Sequence, residues 1–465
     1  MAFIQVAVPV PLRQLFTYTH DNALSAGVRV VVPFGPRKLV GVVVETLHKP
    51  ESDIENSNKL KAIESVLDDS PIIDGVLLKM AQWLWQYYHH APGEVLHAML
   101  PVLLRKGESA APTPQDMLML TEEGKQTTAD TLSRAPKQQA CFTAMAGGAL
   151  LASQARKQYG APAVKALVEK SLISIEEVAP EFKSGSWLAS LSVSEKPIPD
   201  TEQSVAIAAL NRQQGNFAVS LLEGITGSGK TEVYLQAIEP LLCDGKQVLI
   251  LVPEIGLTPQ TVSRFEKRFG IAVGVLHSQL SDKERLHVWQ RAKAGELGII
   301  IGTRSAIFTP LHNPGMLIVD EEHDASYKQE ETPRYHGRDV AVMRARQGGA
   351  LAVLGSATPA LETYRHTDAG RYRRIVLSER VLRRSLPSVR IIDMREEFAT
   401  HGPDVVFSAP LVEALDDRLT RGEQALVLLN RRGFAASVFC RQCARSLECP
   451  NCSVSLTFHR RADRA

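Results

Sequence analysis

Residues 217–231 have the sequence FAVSLLEGITGSGKT, in which an apolar stretch, Phe217–Leu222, leads into the pattern G-x-x-x-x-G-K-[ST]. A helical stretch, Glu232–Leu242, follows at once, so the segment predicts a strand, a phosphate-binding loop and a helix. Backbone N–H groups of such a loop and the start of the helix face the phosphates, while Lys230 reaches the β- and γ-phosphates and the Thr231 hydroxyl holds Mg²⁺. The predicted ATP-binding residues are Gly224, Ile225, Thr226, Gly227, Ser228, Gly229, Lys230 and Thr231.

A second segment supplies the acid with which such a loop holds a metal ion. Leu317–Val319 is a short apolar stretch, predicted to be a buried strand, and Asp320, Glu321, Glu322 and His323 follow it. Ligands bind at the carboxyl ends of parallel strands, so we expect Asp320 to hold Mg²⁺ from the end of a neighbouring strand. We predict that Glu321 orients and activates the attacking water. The histidine could sense the γ-phosphate, although a histidine alone is as readily a surface residue.

Residues 200–385 alternate apolar and helical stretches, which is the pattern of a parallel sheet with crossover helices. Residues 386–439 start a second unit of this kind with a predicted helix, Ser408–Thr420, and a predicted strand, Gln424–Leu429. One strand and one helix cannot close a parallel sheet, so we expect the second lobe to be partial. The predicted strands of the first lobe are Phe217–Leu222, Val248–Val252, Val273–His277, Ile299–Ile301, Leu317–Val319 and Leu351–Leu354.

Three loops that follow predicted strands indicate a nucleic-acid motor. Residues 253–260 (PEIGLTPQ), 302–306 (GTRSA) and 355–359 (GSATP) resemble helicase motifs Ia, Ib and III in order and spacing. Threonine, serine and arginine on such loops suit contacts to the phosphate backbone, which hold a strand without reading its bases, and we predict this for Thr303 and Arg304. Each loop alone is a weak match to its helicase motif. Together with both ATP-site segments, the three loops strongly indicate a helicase.

The region before the motor lobe has a different composition. Residues 1–105 contain two Val-rich stretches, Val28–Pro33 and Leu39–Thr46, with a turn between them, which predicts a small β-rich domain. The sequence of residues 110–180 predicts two helices followed by a short strand. This order suits a winged-helix module and, equally, any small helical connector. Residues 181–199 have weak periodicity, and we interpret them as a linker.

Composition excludes some classes of protein. With 44% hydrophobic and 22% charged residues, the 465-residue chain can bury sizeable cores, and its net charge of +2 does not by itself indicate nucleic-acid binding. It has no run of about 18 apolar residues, so we expect no membrane span or membrane partner. The N-terminus lacks the features of a secretory signal, and we predict a cytoplasmic location.

Four of the six cysteines cluster near the end of the sequence. Cys440, Cys443, Cys449 and Cys452 form two C-x-x-C pairs, and each pair can place two thiolates on one tetrahedral Zn²⁺. In a cytoplasmic chain such clustering indicates metal binding rather than disulfides. We expect the isolated Cys141 and Cys243 to be ordinary buried residues.

The combined motifs closely resemble the bacterial replication-restart helicases of the PriA family, from the N-terminus to about residue 458. DEEH followed by SYKQ and RYH is more restrictive than the general motor pattern. The segments that carry the resemblance are GITGSGKTEVY (224–234), LVPEIGLTPQT (251–261), IGTRSAIFTP (301–310), IVDEEHDASYKQEE (318–331), LGSATPALET (354–363) and LNRRGF (429–434).

The resemblance implies a multidomain α/β protein with a RecA-like motor lobe, an N-terminal β-rich DNA-binding domain, a winged helix and a second lobe with a cysteine cluster. It implies an ATP-dependent 3′→5′ DNA helicase that uses ATP, Mg²⁺ and Zn²⁺ and starts replication restart at stalled forks and D-loops. The implied partners are forked and single-stranded DNA, single-strand-binding protein, other restart-primosome proteins and the machinery that loads the replicative helicase.

The resemblance also assigns roles to residues in the motor lobe. Gln203 matches the position that meets the nucleotide base, and residues 327–338 (YKQEETPRYHGR) match the aromatic-rich loop that couples DNA contact to ATP hydrolysis. In that loop Tyr327 and Tyr335 could stack on bases, while Arg334 and Arg338 could pair with phosphates; the alternative is a solvated surface loop.

In the N-terminal domain, Phe16, Gly35 and Lys61 match positions that hold the 3′ end of the leading strand. The family often has aspartate after the phenylalanine, where this sequence has Thr17, which puts the fine contact in doubt. Phe16 could instead be a core residue.

The end of the sequence departs from the family, which has four C-x-x-C pairs for two zinc ions where this sequence has the first two. The second-lobe arginine finger of the family, typically worth several powers of ten in rate, is also not in the sequence. We therefore interpret the sequence as C-terminally truncated, with residues 440–465 as a truncated zinc-binding segment, and expect ATP and DNA binding with little unwinding. The alternative is a fork-DNA-binding module without motor activity. Another superfamily-2 translocase fits the C-x-x-C pairs and the N-terminal domain less well.

Overall fold

In the computed structural model, the protein forms two compact units, Met1–Arg384 and Ser385–Ala465. The structure describes residues 1–47, 60–112, 114–145, 148–381, 388–402 and 405–428. The cysteine cluster and the 429–434 segment therefore lie outside the described residues. None of the described helices is long and apolar enough to cross a membrane.

The first unit begins with an antiparallel sheet in the order β2-β1-β4-β3-β5, which confirms the predicted β-rich domain. Alternate residues such as Ile4, Val6, Val30 and Val32 point into a small core of their own, as the period of a half-buried strand requires. The turn between the two Val-rich strands contains Gly35, whose φ of +57° suits glycine. The strands are β1 (Ala2–Ala7), β2 (Phe16–His20), β3 (Arg29–Phe34), β4 (Arg37–Leu47) and β5 (Ser65–Val66).

Three helices follow this sheet: α1 (Gly75–Tyr87), α2 (Pro92–Met99) and α3 (Val102–Arg105). Helix α1 begins where the Asp74 side chain accepts a hydrogen bond from Leu77 N at 2.8 Å. The fully buried Arg29 pairs with Asp68 at 2.6 Å and donates to the carbonyl oxygens of Leu104 and Glu108. This satisfied buried cation ties the sheet to the end of α3.

The next module has its own core and a three-stranded antiparallel sheet in the order β7-β6-β8. Its strand β8 and helices α5 and α7 agree with the predicted elements of residues 110–180, while the winged-helix interpretation stays a prediction. Cys141 is buried in this module, but Cys243 of the motor lobe is exposed, so the expectation of burial was wrong for Cys243. The elements are β6 (Gln115–Leu120), α4 (Glu122–Gln126), α5 (Pro136–Ala144), β7 (Leu150–Leu151), α6 (Ala152–Tyr159), α7 (Ala161–Glu169) and β8 (Ile173–Val178).

The motor lobe is a seven-stranded parallel sheet in the order β11-β12-β10-β13-β14-β9-β15, and all six predicted strands belong to it. The edge strand β15 was not predicted. The strands are β9 (Ala218–Gly224), β10 (Gln247–Leu251), β11 (Val273–Leu276), β12 (Ile299–Gly302), β13 (Pro314–Val319), β14 (Leu351–Ser356) and β15 (Arg373–Leu377). The helices are α8 (Thr201–Asn211), α9 (Lys230–Cys243), α10 (Pro259–Phe269), α11 (Asp282–Lys293), α12 (Gly337–Gly348) and α13 (Leu361–Asp368).

Successive residues of the central strands enter different cores, because neighbouring side chains of a strand point to opposite faces of a sheet. Leu249, Leu317 and Leu354 pack with α11, α12 and the N-terminal helices α1 to α3. Ile250 and Ile318 pack with α8, α9 and α10 on the other face. The N-terminal helices therefore share the core on one face of the motor sheet, where α1 packs on α12 and α3 packs on α11.

The second unit contains two described helices, α14 (Met394–His401) and α15 (Ala409–Thr420). Helix α15 agrees with the predicted helix, and Ser408 caps it by accepting from Leu411 N at 3.3 Å. The predicted strand Gln424–Leu429 was wrong for residues 424–428, which are described and form no strand. A strand needs a neighbour for its backbone hydrogen bonds, and none of the described residues provides one here.

Candidate nucleotide and DNA sites

The phosphate-binding loop lies between the end of β9 and the start of α9. Gly227 and Gly229 have φ angles of +84° and +85°, a conformation that favours glycine. Lys230 Nζ donates to Gly224 O at 2.8 Å and lies 3.9 Å from Glu321 Oε1. The lysine therefore lies across the opening of the loop. It also lies next to the acidic segment, with which we expected the loop to form the nucleotide site.

Gln203 connects helix α8 to this loop. Its backbone N–H donates to Asp200 at 2.8 Å, its side-chain oxygen accepts from Asp200 N at 3.1 Å, and its side-chain amide donates to Ser228 O at 3.0 Å. The amide is therefore engaged with the protein backbone, and its predicted contact with a nucleotide base stays a prediction.

Strand β14 separates β9 from β13, so the acid does not stand on a neighbouring strand as we expected. Asp320 nevertheless emerges at the carboxyl edge of the sheet, close to the loop. Tyr234 Oη donates to Asp320 Oδ1 at 3.0 Å, and Tyr327 Oη donates to the Asp320 carbonyl at 2.6 Å. Burial and the Glu321 carboxylate raise the pKa of Asp320, because both disfavour another negative charge. A bound cation would offset that cost.

The two glutamates after Asp320 occupy different environments. Glu321 has a φ of +46°, a left-handed conformation that is uncommon outside glycine, and its carboxylate lies near Lys230 and 3.7 Å from His323 Nδ1. Glu322 is fully buried, with Arg338 Nη1 at 3.1 Å and hydrogen bonds from Ala360 N and Thr363 Oγ1. Glu321 is therefore available to a substrate, whereas Glu322 holds the lobe together.

A hydrogen bond that sequence reasoning missed joins the acidic segment of residues 320–323, here called motif II, to motif III (residues 355–359). Ser356 Oγ accepts from Thr358 N at 3.0 Å and lies 2.7 Å from His323 Nδ1, so it can donate its own hydrogen to the histidine. A Cβ on Gly355 would lie 1.6 Å from Tyr234 Oη, so only glycine fits there. Gly355 thus makes room for the hydroxyl that contacts Asp320. The motifs were visible in the sequence, but their mutual contacts were not.

A second contact that sequence reasoning missed lies beyond β15. Val381 N donates to Gly227 O at 2.9 Å, and Ile225 N donates to Leu377 O at 3.3 Å. Arg380 runs alongside Gly227, and its buried Nε has no hydrogen-bond partner in the part of the chain that the structure describes. The strand end and the residues after it therefore brace the phosphate-binding loop.

A groove on the surface of the motor lobe is formed by the predicted DNA-contacting loops. Thr258 of motif Ia, Thr303 of motif Ib and the loop of His277 and Gln279 line it. Arg304 does not reach freely into solvent, because its Nη1 donates to Ser326 O at 2.8 Å and to Lys328 O at 2.7 Å. Arg304 therefore holds the loop after motif II in place.

The aromatic-rich loop corrects two expectations. Tyr327 is 0% exposed and Tyr335 5% exposed, so neither ring has an open face on which a base could stack. Their large apolar rings are buried in the core, where Tyr335 packs edge-to-face on Phe308. Arg338 is likewise buried against Glu322 and is not free for a phosphate. Arg334 is exposed, as phosphate contact requires.

The three predicted 3′-end residues lie along the N-terminal sheet. Phe16 is half-buried at the start of β2 and packs edge-to-face on Phe34 at a centroid distance of 5.2 Å, next to Gly35. Lys61 accepts from Thr19 N, on the same strand β2, through its carbonyl oxygen at 3.0 Å. Their contact with DNA stays a prediction, and Phe16 combines a core contact with partial exposure.

The described residues include possible ligands for Mg²⁺, one of the two predicted metal ions, but not the predicted ligands for Zn²⁺. Thr231 and Asp320 offer the hydroxyl and carboxylate oxygens that Mg²⁺ prefers, and both line the cavity beside the phosphate-binding loop. Among the described residues there is no cluster of three or more histidine, cysteine or acidic side chains that could hold a metal ion. Cys440, Cys443, Cys449 and Cys452 lie outside those residues.

Comparison with known protein families agrees with this geometry. Residues 5–101 match a family described as 3′DNA-binding domain (3′BD), and residues 200–367 match the DEAD/DEAH box helicase family. The Hef helicase domain from Pyrococcus furiosus aligns with 48% of this chain and 54% of that chain at 20% identity, with a TM-score of 0.33. The family matches define the class: a DEAD/DEAH box helicase lobe that follows a 3′ DNA-binding domain.

Two relatives narrow the class. The replication restart protein PriA of Haemophilus influenzae is 40% identical over 472 residues, which cover 99% of this chain and 62% of the relative. That of Bacillus subtilis is 35% identical over 540 residues, which cover 100% of this chain and 66% of the relative. The chain belongs to the PriA family, and it spans about three fifths to two thirds of the length of these curated relatives.

Proposed function

We propose that this protein is an ATP-dependent 3′→5′ DNA helicase that acts at stalled forks and D-loops to restart replication. One observation carries the proposal: Lys230 Nζ of the phosphate-binding loop lies 3.9 Å from Glu321 of the acidic segment, across the carboxyl edge of a parallel sheet. The contact places a phosphate-binding cation and a carboxylate that could orient water together at the sheet edge where the γ-phosphate of ATP would lie.

The nucleotide site is proposed to work through residues 203, 224–231, 320 and 321. Loop N–H groups and Lys230 hold the β- and γ-phosphates, while Thr231 and Asp320 hold Mg²⁺, which when bound neutralises charge on the phosphates. Glu321 accepts a hydrogen bond from the attacking water and directs the oxygen at phosphorus. Water then adds to the γ-phosphoryl group, the bond to the β-phosphate oxygen breaks, and ADP and phosphate leave.

Coupling to DNA is proposed to run through the loops on either side of the acidic segment. Thr303 contacts the DNA backbone from the groove, and Arg334 contacts it from the loop after motif II. Arg304, Tyr327 and Tyr335 contribute by holding that loop, since all three side chains are engaged within the protein. His323 and Ser356 link the γ-phosphate side of the site to motif III.

The remaining regions extend the proposal. Residues 1–105 would bind the 3′ end of the leading strand through Phe16, Gly35 and Lys61, and residues 110–180 would form a winged helix. Residues 181–199 would be a linker, 200–385 the first motor lobe, 386–439 part of a second lobe and 440–465 a zinc-binding segment. Single-strand-binding protein, restart-primosome proteins and the loading machinery of the replicative helicase are the proposed partners, and the cytoplasm the proposed location.

The test is ATP hydrolysis by the purified 465-residue protein with and without forked DNA. We expect the fork to stimulate hydrolysis, and we expect Lys230→Ala and Glu321→Gln to abolish it while fork binding, measured by fluorescence anisotropy, is retained. Lys246→Ala, an exchange outside the site, is the matched control. Fork binding without any DNA-stimulated hydrolysis would instead favour the DNA-binding module without motor activity.

A further inference from the structure

A cavity lies where the N-terminal helices meet the motor lobe. Its walls come from the segment that joins α2 to α3, from β11 and α11, and from the loop after β12. Four side chains with nitrogen donors or positive charge stand among the apolar lining: Arg105, His277, Arg285 and Trp289. The cavity is distinct from the nucleotide site and shares none of its lining residues.

The two arginines of the cavity have neutral partners only. Arg105 Nε donates to Leu100 O at 2.7 Å and Nη2 to Ala98 O at 3.0 Å, while Arg285 Nη2 donates to His277 O at 3.1 Å. No carboxylate among the described residues forms an ion pair with either guanidinium. Burial, and next the positive charge of Arg285, lower the pKa of Arg105, with Asp282 opposing the effect. Two like charges therefore face a half-buried space, and among the described residues the acid that acts on them, Asp282, forms no ion pair with either.

Two buried donors in the same wall also lack acceptors. The indole Nε1 of Trp289 and Nε of Arg285 have no hydrogen-bond partner in the described part of the chain, although Trp289 is only 4% exposed. Buried donors are nearly always satisfied in folded proteins, and a buried donor without an acceptor destabilises the fold. An anion with several acceptor oxygens would complement both the positive charge and the unpaired donors at this place.

We propose that this cavity binds a phosphate group, and that the group is a phosphodiester of bound DNA. Guanidinium groups match phosphate oxygens in charge and in fork geometry. His277 lines both this cavity and the neighbouring groove of Thr258 and Thr303, so a strand in the groove passes the mouth of the cavity. The inference rests on the proposed DNA binding and adds a contact at the junction of the two regions that the motifs do not include.

The first test measures the salt dependence of binding to an oligo-dT strand by the full chain. Replacing Arg285 with glutamine (R285Q) should make the slope of log K against log salt less steep by about 0.7, because one phosphate contact is lost. Affinity should fall on the order of tenfold. The matched control is Lys283→Gln, which removes an exposed positive charge of the same helix outside the cavity and should leave the slope near wild type. R285K keeps the charge, so we expect the wild-type slope with weaker binding.

The second test identifies the source of the phosphate. Inorganic phosphate should raise the melting temperature of the wild-type protein above that in chloride of equal ionic strength, and the rise should be smaller for R285Q, in which the phosphate-binding loop remains but the cavity site is lost. Equal slopes for R285Q and Lys283→Gln would overturn the DNA assignment, even if inorganic phosphate stabilised the wild type more than R285Q. Absence of both effects would overturn the site altogether. A wild-type protein that bound no DNA would instead refute the proposed function, since the phosphate test is independent of it.

Discussion

Glu321 and Glu322 are adjacent in the chain, yet their environments assign them to different tasks. Glu321 lies beside the phosphate-binding loop and has a left-handed backbone, while Glu322 is fully buried and accepts from three groups, Arg338 Nη1, Ala360 N and Thr363 Oγ1. A buried carboxylate is tolerated only when it is paired and hydrogen-bonded, as Glu322 is. Two adjacent residues therefore have different tasks, one in catalysis and the other in the stability of the lobe.

We expect opposite results from changing the two glutamates. Glu322→Ala removes one of the two carboxylates that pair with the buried Arg338 and leaves Ala360 N and Thr363 Oγ1 without their acceptor, so it should lower the unfolding free energy by about 3–5 kcal/mol. Glu321→Gln should change it by less than about 0.5 kcal/mol but abolish ATP hydrolysis. Chemical denaturation and ATPase assays on both variants test this. A stable Glu322→Ala protein would contradict the structural role.

Tyr234 should act as a positioning residue for Asp320. Its hydroxyl is the side-chain donor to the carboxylate, and removing such an outer partner of a metal ligand typically costs about 10–100-fold in metal affinity or activity. Tyr234→Phe should therefore raise the Mg²⁺ concentration needed for half-maximal hydrolysis, with ATP binding in EDTA unchanged. Tyr372→Phe, which removes a hydroxyl outside the site, is the control. An unchanged Mg²⁺ requirement would refute the role.

At the residue scale, the sequence predicted groups whose chemistry is tied to a motif. Lys230, Thr231, Asp320 and Glu321 were predicted this way, and the structure brings them to one sheet edge, while their roles stay predictions. The burial of Tyr327 was not foreseen, because an aromatic side chain in a polar loop suits stacking on a base and packing in a core equally well. Only the folded lobe decides between them, because it buries the ring and brings the hydroxyl to the Asp320 carbonyl.

At the scale of elements, the loop between motif II and α12 is held from two sides. Arg304 donates to the carbonyl oxygens of Ser326 and Lys328 from the motor lobe. From the N-terminal region, His90 Nε2 accepts from Arg334 N at 2.8 Å and Tyr88 Oη accepts from His336 N at 3.2 Å. The end of α1 and the residues after it therefore contact the loop that carries Tyr327 to Asp320.

Loosening this contact should affect the coupling between DNA and ATP more than ATP hydrolysis itself. His90→Ala removes one hydrogen bond to the loop backbone, worth about 1 kcal/mol, and should lower fork-stimulated hydrolysis several-fold with basal hydrolysis within about twofold. His89→Asn is the matched control, because His89 bonds to Arg13 instead and asparagine tolerates its φ of +58°. Equal loss of basal and stimulated rates would contradict a coupling role.

Secondary-structure elements were predictable where a single hydrophobic pattern dominated their sequence. The six strands β9 to β14 are apolar runs because both faces of a parallel sheet are buried, and all six were predicted. Strand β15 was missed because Arg373 and Arg374 break the apolar run at the edge of the sheet, where only β9 pairs with it. The insertion of β14 between β9 and β13 follows from how the strands assemble, which local pattern does not contain.

At the scale of the whole molecule, the N-terminal region and the motor lobe share a core. Leu96 of α2 and Leu84 of α1 belong to the same cluster of buried side chains as Leu249 and Leu317 of the parallel sheet. Lys293 Nζ donates to Pro71 O at 2.9 Å, and Gln290 donates to the carbonyl oxygens of Ala110 and Ala111 across the same boundary. The module of residues 114–180 has a separate core.

This arrangement predicts which elements lose protection from amide hydrogen exchange when a core side chain is truncated. Leu96→Ala, in the shared core, should cost about 2–5 kcal/mol and should speed amide hydrogen exchange in the sheet strands β10 and β13 as well as in α1 to α3. Leu167→Ala deletes the same side chain at an equally buried position of the separate core, and exchange should rise only within residues 114–180. Exchange changes confined to residues 1–112 in Leu96→Ala would mean that the N-terminal region unfolds independently. Because opening free energies are shared only within a cooperative unit, the pair of variants separates a common core from mere contact between two domains.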